Sequence, residues 1–554
     1  MNTSVTAGSH NLEPRRTASC MLASALLLGS CIAVARSADA KTVSYVESPQ
    51  ASASAISDAP RPGEDYSRLR AAAHTQPVAL LNRLTWGADA QSLELLQSVG
   101  AARYLEMQLH PPRSPQLPAG VIAQLDAMAI NQAPLDQLIP PIVKEEHAIR
   151  TDPGLDAEQK QQALKAIYRR NNQLTQEAAS QQLLYALYSP YQMQEQMAWF
   201  WMNHFNVFRG GNLGPMMGDY YARVVKPHAL GHFRDLLTAT VFSPQMLVYL
   251  NNAQNARGHV NENYAREIME LHTLGVGSGY TQEDVQNLAR VLTGLGVDLP
   301  GRPARVRAAL QGDIWQDGLV VFNPARHDSD PKTVLGHTLQ GQGVEEIHEV
   351  IRLLADNPAT ARHVSTQIAQ YFIGTAPDPR LVNAMVDTWK HTDGDIAAVL
   401  RTLFTSREFA ASLGRGFKDP MHYVISMVRL TSQGRVVSNP LPMVYALNRL
   451  GEPLYGRQTP DGYPMSAGAW DSPGQMTERF DIARFGAVGS PGLFRSPGAM
   501  SGPPRIPPPN LQAMPIVRMM LAQAAVPTHT ALAQAANPVQ WNALFLSSPE
   551  FMQR

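Results

Sequence analysis

This chain predicts a mainly α protein: a multi-helix globular domain with a small β-hairpin insertion and a loop-rich C-terminal part. Three observations carry that reading. Leucines recur at three- and four-residue spacings in "ALLNRLTWG" and "SLELLQSVGAARYLEMQL", further helical stretches follow with start and stop residues, and a single patch alternates polar and apolar as strands do. With 554 residues, 44% of them hydrophobic, a sizeable core can be buried and global disorder is excluded. Lys plus Arg number 46 and Asp plus Glu number 46, so charge gives no case for nucleic acid or an anionic membrane surface.

The N-terminus reads as a secretory signal peptide over 1–40. Arg15 and Arg16 precede an apolar run from Met21 to Ala35, and Ala38-Asp39-Ala40 supplies the small-residue cleavage site. The run is shorter than the roughly 20 apolar residues of a membrane span. "LLGSC" resembles a lipoprotein box, which would anchor the chain by a lipid at Cys31; the apolar run continues past Cys31, which favours plain cleavage. Export to the periplasm or beyond is the expectation. Both cysteines, Cys20 and Cys31, lie in this segment, so after cleavage there is neither disulfide nor thiol nucleophile, and a metal would need His, carboxylate or carbonyl ligands.

Residues 41–76, rich in Ser, Ala and Pro, read as a disordered linker. From Pro77 to about residue 450 the pattern is a helical core. "LDAEQKQQALKAIYRRNNQLTQEAASQQLLYALY" is one long helical stretch, followed by "SPYQMQEQMAWFWMNHFNVF" and "RVVKPHALGHFRDLLTATVF". A further helix over Asn261–Leu274 stops where Gly275, Gly277 and Gly279 supply a C-cap and turn, and Thr281 with Asp284 opens the next. "ARVRAALQGDIWQDGLVVFNP" is the alternating patch, expected to be the hairpin. Residues 451–554 are expected to be loop-rich as far as Pro509, then helical and packed on the core.

The densest polar string is "NENYAREIMELHTLG". At about 100° per residue, Glu262, Arg266 and Glu270 share one stripe, a ladder of two ion pairs worth a few tenths of a kcal/mol each. Glu267 and His272 fall off that stripe and are the better chemical candidates. Glu270 and His272 are two apart, which is not the Glu-x-x-His spacing of di-iron bundles. His204 sits in an aromatic nest, ordinarily the place of a satisfied core histidine. His228 and His232 are four apart, the spacing of two ligands on one helix face. His327, Asp328 and Lys332 share a loop after the hairpin. No G-x-S-x-G elbow, Walker A loop or Rossmann glycine fingerprint occurs, and Pro331 argues against a helical Ser329-x-x-Lys332 pair.

"LLNRLTWG", "FWMNHF", "KPHALGHFRDLL", "SPQMLVYLNN", the block from Asn261 to Gly294, "HDSDPKTVLG" and "SREF" occur in one order. Together they resemble a bacterial family catalogued as the domain of unknown function numbered eighteen hundred, over nearly everything after Pro77. The resemblance implies a bacterial, exported, mostly helical protein, and no reaction. It also implies an exported partner from a neighbouring family similar to sulfatase-like phosphatase relatives. Its motifs fall on Arg83, Asn203, His204, Asn263, Arg266, Glu267, Glu270, His272, Thr273, His327, Asp328 and Lys332. Met202 and Leu295 depart from the family pattern, at positions that are candidates for lining a site.

Two functional readings follow. One is an exported enzyme with a site between helices, its catalytic candidates Glu267, Glu270, His272 and His204. There His204, Glu267, His272, His327 and Asp328 would suit zinc, manganese or iron, or the same groups would act as acid and base. The other is a non-catalytic scaffold or carbohydrate- or protein-binding partner whose buried ion pairs join helices.

Overall fold

Asp156 begins the longest helix, Ala157–Tyr188, with a reciprocal capping box to Gln159, and the helix runs 32 residues before Ser189 ends it. The computed structural model describes residues 65–113, 116–301, 306–495 and 506–554. The signal-peptide reading, Cys31 and residues 41–64 of the expected linker lie outside them.

The architecture is mainly α, as the leucine spacing predicts. One buried cluster draws on nearly the whole described chain: Leu81, Trp201, Leu288 and Val399 share it with Ile482, Phe545 and Phe551 from the C-terminal part. Helix Pro420–Ser432 is buried on almost every face, consistent with an apolar run in the middle of the core. Among the described residues, no helix is long and apolar enough to cross a membrane.

Three local departures from the sequence pattern have physical causes. Residues 67–75 are a helix, Ser67–Thr75, rather than linker, because Tyr66, Leu69 and Ala72 are buried against the core. Pro473–Ala487 is a helix inside the expected loop-rich part. Its apolar residues follow no clear helical stripe; it packs instead through small residues, with Gly486 against Met427 and Leu546, where a Cβ would collide. The hairpin is present, β2 (Trp315–Asp317) against β3 (Val320–Phe322), but β3 also pairs antiparallel with β1 (Leu295–Val297) to make a three-stranded sheet.

The Asn261 block also departs from an ideal helix. Asn263–Glu267 is α-helical, but Ile268–His272 widens to π geometry before the chain turns. The wider ring is sealed by the Thr273 hydroxyl, which donates to the Ile268 carbonyl at 2.6 Å, and by the Gly275 N–H, which donates to Met269 at 3.2 Å. Gly275 has φ +88° and lies against the His363 ring, so both its conformation and its space call for glycine. Thr281 and Asp284 form the expected capping box of Gln282–Val291.

Candidate functional site

Helix Gln192–His204 buries Met193, Met197 and Trp201 in the core. Its other side, Trp199, Phe200, Asn203 and His204, lines two adjoining clefts that share Phe200, Asn203 and Met465. The larger in total space, about 520 Å³ counted out through its solvent mouth, is walled by Trp199, Phe200, Tyr371, Phe417, Tyr463 and Trp470, and reaches Asp419, Glu452 and Arg554. The smaller, about 340 Å³, is lined by His204, Leu271, Gln367, Pro460 and Asp461.

A strap of the chain, residues 455–465, crosses between them and is pinned by the two asparagines of "NHFN". Asn203 pairs with the Tyr463 backbone in both directions, donating at 2.9 Å and accepting at 2.6 Å. Asn206 donates to the carbonyls of Arg457 and Thr459 at 3.1 and 2.9 Å. Gly462 has φ +72°, and a Cβ there would press on the Asn203 carbonyl, so only glycine lets the strap lie this close.

The base of the larger cleft is ionic. Asp419 caps helix Pro420–Ser432, accepting the His422 N–H at 2.7 Å, and its carboxylate also receives the His422 Nδ1 at 2.8 Å. Glu452 accepts the neighbouring Met421 N–H at 2.9 Å. Two carboxyl groups thus meet at one positive helix end. Arg554 donates to the His422 ring and, at 2.6 Å, to the Tyr371 carbonyl, and its guanidinium lies 4.9 Å from the Tyr371 ring centre. Arg83 fixes Arg554 from behind, donating to its carbonyl at 2.7 Å and to that of Ser412 at 2.8 Å.

This arrangement drives the two carboxyl groups apart. Burial works against the ionised Asp419, but the His422 ring and Arg554 outweigh it and bring the carboxyl down to about 2. Burial pushes the Glu452 carboxyl well above the usual carboxylate range and the Asp419 charge adds to the rise. His422 is brought down to about 4 by burial and by Arg554. The Tyr371 hydroxyl is buried with the Arg554 guanidinium beside it.

Of the residues singled out in sequence, His204 alone among the catalytic candidates lines a cleft. Its ring bonds Gln367 Oε1 through Nδ1 at 2.7 Å and the His272 carbonyl through Nε2 at 3.0 Å. His272 packs 6.0 Å away, ring to ring, and its Nε2 is buried without a partner. Glu267 is half-buried; burial and then the Glu270 charge raise its carboxyl. Arg266 forms the ladder with Glu262 at 3.0 Å and Glu270 at 3.6 Å, all three part-exposed, which is a weak surface arrangement.

His327, Asp328 and Lys332 belong to a different place. His327 and Lys332 both meet Glu346, at 3.2 and 2.9 Å, and Asp328 pairs with Arg290 at 2.8 Å. His204, Glu267, His272, His327 and Asp328 therefore do not assemble into one ligand set. Among the described residues no group of three or more His, Cys, Asp or Glu is placed to hold a metal. His228 and His232 do not share a helix face either: His228 ends a 3₁₀ turn and His232 precedes helix Phe233–Val241, each bonded to a backbone carbonyl. Met202 and Leu295 are buried and line neither cleft.

Sequence reasoning missed Asp419, Glu452, Tyr371 and Arg554. The one local signal was "DPMH", an N-cap carboxylate with proline at N1 and histidine at N3. Nothing local connects it with Glu452 or Arg554.

Fold and site together define a mainly helical protein with an aromatic-walled cleft over a buried carboxyl–imidazole–guanidinium group. The chain belongs to the family described as "Protein of unknown function (DUF1800)", whose model matches residues 79–553. No curated protein and no solved structure matches it.

Proposed function

We propose that this protein is an exported hydrolase that breaks a C–O bond in the larger cleft, with Glu452 as general acid and Asp419 as a fixed negative charge. The observation that carries this is the pairing of two carboxyl groups at one helix end inside an aromatic-walled cleft, their surroundings raising Glu452 and lowering Asp419. Pairs of titratable groups separated in this way divide acid and charge-stabilising roles between them. In the step, Glu452 gives its proton to the leaving oxygen as the C–O bond breaks, and Asp419 faces the positive charge that develops on carbon. Water then adds to that carbon and its released proton returns to Glu452, which restores the site. His422 and Arg554 keep Asp419 ionised, and Arg83 keeps Arg554 in place.

Chromogenic nitrophenyl glycosides and esters, offered to the full chain, test this. Glu452→Gln keeps the Met421 hydrogen bond yet has no acid proton, and is expected to lower kcat by about 100-fold with the fold retained. Turnover unchanged in that variant, or no turnover by the wild type on either substrate class, would remove the hydrolytic reading.

Export rests on the Arg15–Ala40 pattern. Mass spectrometry of protein from the producing cell is expected to find an N-terminus at Lys41. A chain still carrying Met1 would sink this, and a lipid on Cys31 would replace cleavage by anchoring.

A second reading, a non-catalytic scaffold, is favoured by one specific observation: buried ion pairs link distant segments, as Arg401 does with Glu106 at 2.6 Å and Lys332 with Glu346. In that case Asp419 and Glu452 are helix caps, and Glu452→Gln alters stability alone.

A further inference from the structure

We propose that the strap, residues 455–465, is a gate: it lifts off helix Gln192–His204 and opens the larger cleft wide enough to admit a substrate. This rests on reading Asp419 and Glu452 as the reactive pair, but the motion is measured without any substrate, so the two can fail separately.

The first observation is enclosure. Behind its mouth the cleft holds only about 30 Å³. That is room for about two waters and for no organic molecule. Glu452 and Arg554 are buried, and so are the cleft-lining rings of Trp199 and Trp470. An acid in so small a space meets a substrate only when part of the wall moves.

The second is which part of the wall is free to move. Helix Gln192–His204, helix Pro358–Ile373 with Tyr371, and the start of helix Pro420–Ser432 at Asp419 belong to the packed body. The strap carries neither helix nor strand, and among residues 456–465 only Gly462, which has no side chain, is buried. Its Tyr463 ring lies against Trp199 with centres 6.5 Å apart, and Pro464 and Met465 extend the cover. A segment that buries so little apolar surface opens at a lower free energy than the core beneath it.

The third is how the strap is held. Its ties to the body include the paired bonds of Asn203 and of Asn206, and Tyr249 Oη, which donates to the Gln458 carbonyl at 2.8 Å. Such bonds exchange for bonds to water at small net cost. Within the strap Arg457 pairs with Asp461 at 2.9 Å, so this turn lifts as one folded piece. The ends stay fixed. Tyr455 sits in the core cluster with its Oη donating to the Ala178 carbonyl at 3.2 Å, and beyond the strap the chain enters helix Pro473–Ala487.

Hydroxyl-radical footprinting of the full chain, read residue by residue by mass spectrometry, tests this. Trp199 under the strap and Trp389 in helix Pro379–His391 are equally buried, at 5% and 4% exposed. With a gate, Trp199 is expected to be oxidised at least about threefold faster than Trp389 in the wild type, a comparison that needs no variant. Asn206→Ala, and the milder Tyr249→Phe, loosen the strap outside the larger cleft and are expected to raise the Trp199 rate further by about threefold, leaving Trp389 unchanged. Equal rates at the two tryptophans in all three proteins, or rates that rise together in the variants, would overturn the proposal. Opening without turnover of any substrate removes the hydrolase and leaves the gate. Cleavage that depends on Glu452 while Trp199 stays sealed removes the gate and leaves the acid.

Discussion

Glu346→Ala is expected to cost about 3–5 kcal/mol of stability, because it strands a buried ammonium. Both oxygens of Glu346 accept from Lys332 Nζ, at 3.0 and 2.9 Å, and Lys332 and Glu346 are only 2% and 5% exposed. His327 bonds the same carboxylate at 3.2 Å while its Nδ1 meets the Thr293 carbonyl at 2.8 Å. Removing Glu346 therefore takes away the carboxylate that Lys332 bonds and frees the loop 327–332 from helix Val344–Ala355. The pair as a whole is worth far less than this loss, since burying both charges carries a desolvation cost that nearly offsets their attraction. The double variant Glu346→Leu with Lys332→Met is accordingly expected to regain most of the deficit. Urea unfolding of the two variants decides it. If Glu346→Ala loses under about 1 kcal/mol, water reaches Lys332 and the group is not the buried clamp described here.

That clamp illustrates how far the sequence could be read. "HDSDPKTVLG" was legible as a loop bearing charged residues, but its partner Glu346 reads as an ordinary acidic residue in a helix's first turn. Only the fold shows that His327 and Lys332 are spent on Glu346 and not available as ligands. The helices were legible because periodicity and caps are local: Thr281 with Asp284 acts within four residues. Pro473–Ala487 was not, since its packing on Met427 and Leu546 works through small residues that leave no apolar stripe. The π-widened turn at Ile268–His272 was not legible either, because a fixed 100° step has no place for an extra residue in the ring. His204 was singled out because a histidine among tryptophans stands out, whereas Asp419, Glu452 and Arg554 meet only through contacts spanning 31 to 132 residues of chain.

Acidification below pH 6.5 is expected to destabilise the protein through its buried histidines, with His204 alone contributing about 3 kcal/mol by pH 4. Burial, then the His363 charge, brings His204 down to about 4, against the opposing bonds from the His272 carbonyl and Gln367. Burial also lowers His272 well below its ordinary value, with His204 and His363 adding to it, and burial lowers His363. Between pH 6.5 and the folded values the unfolded chain binds more protons than the folded one, so stability is complete above about 6.5 and falls as pH drops. The three contributions do not add, because protonating one ring disfavours protonating the next. Glu452 and Glu267, raised in the fold, work the other way: their carboxyl groups favour the folded state as pH falls toward the usual carboxylate range. The net profile therefore mixes opposite signs, and a variant is needed to isolate the histidine. His204→Gln has no titrating ring and an amide that can still donate to the His272 carbonyl. The stability difference between wild type and this variant, followed by urea unfolding from pH 7 to pH 4, is expected to shift by about 3 kcal/mol in favour of the variant. A difference that stays flat would mean that water solvates the imidazolium through the smaller cleft, and His204 would then be an open group rather than a sealed one.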